Sequence, residues 1–278
     1  MPRFAFWAHS PYAEGMTLAT PFVFGPYHLE VEPLSDAAGP VRLVWLHGWG
    51  LSRESLRPLA HSLLNVGETW LIDLPGHGTS PPPTTAASPA AMADAVCAWL
   101  ATLPPVPTYL IGHSMGFRVA VHAASRGGAA LAGLVALAGA GVPRPLAWRA
   151  RLRRTAIRAL IGIARHMSGI LGPGLLAHLR ARFGSADYLA CPAALKPTFL
   201  AVVNDTVAGL APQISLPTLL IYGDHDDATP PDVGQTFARL FPHATLHVLP
   251  HQTHHSLLNA GRHVVGRLIR SFVAAPTA

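Results

Sequence analysis

The stretch "YLIGHSMGFRVAVHAASR" (109–126) narrows the choice of folds more than any other part of this chain. A short apolar run, Tyr109 to Ile111, enters a turn bounded by Gly112 and Gly116 and leaves with helical spacing. Short apolar runs closed by turn residues read as buried strands. The same alternation recurs. "VRLVWLHG" (41–48), "TWLIDLPGHGTS" (69–80), "LAGLVALAGAG" (131–141), "PTLLIYGD" (217–224) and "ATLHVLP" (244–250) read as strands that end in turns or loops. Helical spacing is expected over about 55–66, 89–103, 233–240 and 257–272. "FVFGPYHLEVEPL" (22–34), with its Gly-Pro break, reads as a hairpin. Strands alternating with helices predict an α/β fold: a mostly parallel, doubly wound sheet with helices on both faces.

Half of the 278 residues are hydrophobic and 12% are charged, so a large core is within reach and a disordered chain is excluded. Residues 143–212 lose the strand pattern, gain arginine and keep a broken helical period. They are expected to form a helical cap inserted between a first core part, 1–142, and a second, 213–278. Cys97 and Cys191 show neither zinc spacing nor a disulfide framework, and are expected to be buried thiols in a reducing compartment. The start lacks a continuous apolar segment before a cleavage site, and no uninterrupted apolar run reaches the ~18 residues of a membrane span. A cytoplasmic protein is expected.

The net charge of +6 is unevenly placed. Between Asp94 and Asp187 there is no acidic residue and there are eleven arginines, five of them in "RARLRRTAIR" (149–158). A basic surface suits nucleic acid, anionic lipid or an acidic partner. No aromatic-interleaved nucleic-acid motif accompanies it, so nucleic acid is not expected.

"GHSMG" (112–116) places Ser114 between strand and helix, where a strained turn lifts a hydroxyl clear of the backbone. A serine needs a base, and the base needs an acid to hold it. The groups are sought at the carboxyl ends of strands. Of sixteen histidines, His254 in the loop after "TLHVLP" is preferred, with His255 second. The loop after "TLLIYG" offers Asp224, Asp226 and Asp227; Asp226 is chosen for its place in G-x-x-D-x-x-x-P. A tetrahedral intermediate needs donors for its oxyanion. "HGWG" (47–50) offers the N–H of Trp49, and the turn offers that of Met115. Substrate contacts are sought at Trp49, Met115, Phe117, Trp148, Met167 and Phe183, with core packing the preferred role for the last five. "HQTHH" (251–255) hints at a metal through His251 and His255 at i, i+4, but it lies in a loop and lacks a Glu, so no metal is expected. No dinucleotide or phosphate-binding glycine motif occurs, and no cofactor is expected.

The order Ser114, Asp226, His254, with "HGWG", "DLPGHGTS" and "GHSMG", resembles the α/β-hydrolase superfamily over the whole chain except most of the cap. "VWLHGWGLSRES" is similar to the esterases that cleave the methyl ester of pimeloyl-acyl carrier protein. Two positions depart from the pattern. Phe117 stands where a second glycine usually follows the elbow, and Thr253 stands where a glycine usually precedes the histidine. The resemblance implies a cofactor-free serine hydrolase acting on a small carboxylic ester. A narrower expectation is an acyl group on an acidic carrier, recruited by Arg149, Arg151, Arg153, Arg154 and Arg158. The same triad serves C–C bond hydrolases and perhydrolases, and some relatives only bind ligands.

Overall fold

The computed structural model describes residues 18–34, 39–128, 130–143, 155 and 186–275. Trp148, Met167, Phe183 and the five arginines of 149–158 lie outside the described residues.

Eight strands form one sheet: β1 (Thr20–Phe24), β2 (Tyr27–Pro33), β3 (Arg42–Leu46), β4 (Glu68–Asp73), β5 (Thr108–His113), β6 (Leu131–Leu137), β7 (Thr218–Gly223) and β8 (Ala244–Leu249). Their order is β1-β2-β4-β3-β5-β6-β7-β8. β2 pairs antiparallel with β1 and β4, and every later pairing is parallel. The expected α/β architecture is therefore observed, with the hairpin at one edge.

Side chains on the central strands alternate between two cores, as the two-residue period of a strand requires. Val44, Leu46, Leu110, Leu134, Ala136, Leu220 and Tyr222 face one layer. It is built by α2 (Pro89–Leu100), α3 (Met115–Arg126) and α6 (Pro231–Leu240). Leu43, Trp45, Ile111, Val135, Leu219 and Ile221 face the other layer. There α1 (Arg57–His61) and α7 (Arg262–Ala274) pack. Burial on both faces explains why these strands read as unbroken apolar runs. Between α3 and α6 lie α4 (Ala186–Ala190) and α5 (Lys196–Asn204). They form the described end of the segment expected to be a cap. Thr198 ties α5 to the core by accepting a hydrogen bond from the Ala87 N–H at 3.0 Å. Among the described residues no helix is long and apolar enough to cross a membrane.

Three helices are shorter than their spacing predicts, among them α2, which ends at Leu100 and not at 103. The pattern over 55–66 yields only α1, followed by turns, in which the Ser62 hydroxyl donates to the Leu59 carbonyl. α7 begins at Arg262, not at 257. Leu257 and Leu258 are buried in a single 3-10 turn, and Asn259 leaves helical geometry at φ −115° and ψ −87°.

Candidate active site

The turn after β5 holds Ser114 at φ 51°, a left-handed value that a residue with a Cβ adopts at a cost of ~1–3 kcal/mol. Three backbone hydrogen bonds hold it there. The Ser114 N–H donates to Leu137 at 3.1 Å, and its carbonyl accepts from Ala140 at 3.1 Å and Phe117 at 3.2 Å. The two glycines are required by contact. A Cβ on Gly112 would strike the amide of Phe117, and one on Gly116 would strike the carbonyl of Leu46. Gly116 thus lets α3 lie directly on the end of β3.

The loop after β3 reaches the same point. A Cβ on Gly48 would stand 3.3 Å from Ser114 Cβ and 2.7 Å from His113 Nδ1. His47 shapes this loop: its Nδ1 donates to the Gly48 carbonyl at 2.8 Å, and its Nε2 accepts from the Leu74 N–H at 3.0 Å. Burial lowers the His47 pKa to about 4, so the ring is neutral and able to play both parts. Below the loop, Asp73 accepts from the backbone N–H of Arg53 at 2.7 Å and of Thr79 at 2.9 Å, and pairs with the Arg53 guanidinium. Glu32 pairs with Arg53 and Arg57, each at 2.7 Å. These buried groups tie the turn after "HGWG" to β2, to the end of β4 and to Thr79 just beyond "PGHG", and lone removal of one would leave its partners uncompensated.

The loops after β7 and β8 bring the acid and the base together. His254 Nδ1 lies 2.8 Å from Asp226 Oδ2. The other carboxylate oxygen accepts from the N–H groups of Ala228 at 2.8 Å and Thr229 at 2.9 Å. Burial alone would raise the Asp226 carboxyl, but its bond to His254 and those from Thr229 outweigh this and hold it below its ordinary value. A proton fixed on Nδ1 by the carboxylate leaves Nε2 as the acceptor. The His254 ring lies 4.7 Å, centre to centre, from that of His113, the residue before Ser114. His113 Nε2 is 3.0 Å from the His254 carbonyl, and burial keeps His113 neutral by pushing its pKa well below the ordinary value. His254, the first choice among the histidines, is thus the one bonded to Asp226.

Two side chains here were not anticipated. Thr229 Oγ1 stands 2.9 Å from both Asp226 Oδ2 and the Ala138 carbonyl, and 3.2 Å from His254 Nδ1. His113, inside "GHSMG", braces the His254 backbone. The only sequence signal for Thr229 is its place three residues after the acid, where a hydroxyl can close a turn on it.

The expected substrate contacts divide. Trp49 is half-buried, with its ring 4.8 Å from His77 and 5.1 Å from Phe199 of α5. Phe199 continues into an apolar group with Cys191 and Leu195. Phe117 takes the packing role: it is fully buried under the elbow against Phe237 and Phe241, at 5.2 and 6.0 Å. It fills space that a Cβ on Gly139 would share. The Met115 side chain is likewise buried in the core, so only its backbone faces the turn. Cys97 and Cys191 are free thiols; Cys191 is buried as expected, whereas Cys97 is only half-buried.

Known proteins agree with this architecture. The chain is 31% identical over 246 residues to the pimeloyl-[acyl-carrier protein] methyl ester esterase of Chromobacterium violaceum, covering 84% of this chain and 93% of that one. It is 29% identical over 260 residues to the protein of the same name from Neisseria meningitidis serogroup C, covering 88% and 97%. A thermophilic esterase from Thermogutta terrifontis superposes with a TM-score of 0.64 at 23% identity, covering 93% of this chain and 97% of that one. Residues 43–265 match the sequence model of the alpha/beta hydrolase family, and this chain belongs to that family.

Proposed function

We propose that this protein is a serine hydrolase that cleaves a carboxylic ester through an acyl-enzyme. The observation that carries the proposal is the Asp226–His254 pair, at 2.8 Å, beside a turn that strains Ser114 into the left-handed region. Ser114 Oγ attacks the acyl carbon while His254 Nε2 takes its proton. Asp226 keeps the Nδ1 tautomer and offsets the charge of the imidazolium. The N–H groups of Trp49 and Met115 hold the oxyanion; the first amides of a helix have no partner within it and are suited to the task. The imidazolium then gives its proton to the departing alkoxide. In the second half, His254 Nε2 takes a proton from water as the water oxygen adds to the acyl carbon, and it then gives that proton to Ser114 Oγ as the acyl–oxygen bond breaks and the acid is released. No cofactor takes part.

The names of the relatives, together with an arginine-rich segment free of acidic residues, favour a narrower reading: an acyl group carried on an acidic protein. The segment 143–212 acts in this reading as a cap over the acyl site, with Trp148, Met167 and Phe183 lining it and the arginines of 149–158 docking the carrier.

Hydrolysis of p-nitrophenyl esters from acetate to laurate, by wild type and Ser114→Ala, tests the main proposal. Turnover by wild type alone supports it, and the chain-length optimum sizes the acyl site. Equal turnover by both removes Ser114 from the mechanism. For the carrier reading, kcat/KM on an acyl-carrier ester should fall steeply with salt while that on a neutral ester holds; an equal response ends it.

A further inference from the structure

The loops that carry Asp226 and His254 also bring together a second group of side chains. Asp224 and His225 follow β7, and His251 follows β8; one ligand atom from each lies within 4.8 Å of the others. The rings of His225 and His251 are 5.5 Å apart, centre to centre, and His225 Nε2 is 4.0 Å from Asp224 Oδ1. Two backbone bonds fix the spacing of the loops: Asp224 N–H to the Leu249 carbonyl at 3.1 Å, and His225 N–H to the Gln252 carbonyl at 2.9 Å. The motif "HQTHH" paired His251 with His255 at helical spacing; the fold gives His251 different neighbours.

We propose that Asp224, His225 and His251 form a binding site for a divalent transition-metal ion of the Zn²⁺ or Ni²⁺ kind. Two imidazole nitrogens and one carboxylate oxygen suit these ions, whereas Ca²⁺ and Mg²⁺ prefer oxygen ligands throughout. Tetrahedral zinc with bonds near 2.0–2.1 Å sets its ligands about 3.3 Å apart. All three side chains are exposed, and the gap calls for rotation about their own bonds. The fourth position is left for water or a ligand from outside. The trio touches neither Ser114 nor the Asp226–His254 hydrogen bond. An ion held there still joins a residue two before the acid to a residue three before the base, and so stiffens the loops that set them. The site stands on its own geometry, whether or not ester cleavage is the activity.

The test is calorimetric titration of the untagged full chain with Zn²⁺ and then Ni²⁺, with melting curves in the presence and absence of metal. The expected result is one ion bound per chain and a raised Tm. Even outer partners of a metal site are worth about 10–100-fold in affinity, so His251→Ala and His225→Ala should each weaken binding by at least about tenfold. Asp224→Asn, which changes few contacts, gives the same reading if a histidine variant folds poorly. His254→Ala should bind as wild type does. Binding that survives all three trio variants, or that disappears with His254→Ala, places the ion elsewhere and overturns the proposal. Absence of one-to-one binding by wild type overturns it as well.

Discussion

Gly112 and Gly116 sit where one added carbon would strike backbone, whereas Asp226 and His254 hang from two loops by hydrogen bonds of 2.8–3.2 Å. The halves of the candidate site are therefore set by different forces. Around Ser114, repulsion between closely packed backbones leaves the turn one conformation. Around His254, polar bonds to Asp226, Thr229 and His113 choose one arrangement among several that the loops would otherwise permit. The first kind of constraint is insensitive to pH and solvent and fails only when an atom is added. The second fails one bond at a time, so each partner has its own measurable share.

The largest effect should come from the nucleophile. Ser114→Ala should lower kcat by on the order of 10⁶-fold, the loss seen when a triad serine acts together with its base, while Tm stays within a few degrees. Residual activity near that of wild type would detach the chemistry from the elbow. Asp226→Asn comes next, at on the order of 10⁴-fold in kcat, because an amide no longer selects the Nδ1 tautomer. It also has a stability signature. Since the folded carboxyl titrates below its ordinary 3.8, its contribution is complete above that pH and is lost as pH falls through the lower folded value. The stability gap between wild type and Asp226→Asn should accordingly narrow in acid. A gap that widened there would contradict the direction of the shift.

Gly116→Ala probes the other half. The new methyl would meet the Leu46 carbonyl, and unfolding by urea should show a loss of about 3 kcal/mol, the upper end for overpacking a tight site. Thr229→Val keeps the shape and removes one hydroxyl. Loss of a hydrogen bond of about 1–1.5 kcal/mol predicts roughly a tenfold drop in kcat with KM little changed. An effect of Thr229→Val as large as that of Asp226→Asn would mean that the hydroxyl, and not the carboxylate alone, fixes the ring.

The same contrast decides what was legible in the sequence. Glycine positions, apolar runs and strand order follow local rules, so the sheet, the turn at Ser114 and the loop at Trp49 were all readable. Asp226 was readable from its spacing in the loop after β7. Thr229 was not, because its partner Ala138 lies 91 residues away at the end of β6, and only the folded sheet joins them. His113 had the same difficulty: its bond to the His254 carbonyl spans 141 residues. Phe117 and Met115 stayed open between substrate contact and core packing because a large apolar residue beside the nucleophile looks the same in sequence whether it faces the cleft or the core. The first turn of α3 points both inward. Where 55–66 and 257–262 fell short of a helix, spacing was satisfied but local hydroxyl and turn bonds competed for the backbone.

The last prediction lies between the two regimes, at His77. This ring packs edge-on against Trp49, bonds through Nδ1 to the Pro75 carbonyl at 3.1 Å, and keeps Nε2 buried without a partner. Burial first, and then the nearby charge of His47 when protonated, lowers its pKa to about 3. In the unfolded chain the ring takes up a proton near its ordinary 6.5, while the folded chain refuses it. The neutral ring's contribution is thus whole above pH 6.5, declines as pH falls, and is gone below the folded value. One proton's worth of linkage is about 1.4 kcal/mol per pH unit. His77→Phe keeps an edge against Trp49 and removes that proton. Urea unfolding at pH 7, 6 and 5 should show the variant losing less stability with acid than wild type, by up to about that slope. An unchanged slope would mean that the loop opens to hydrate His77 at mild acidity, which would make the support beneath Trp49 as yielding as the bonds around His254.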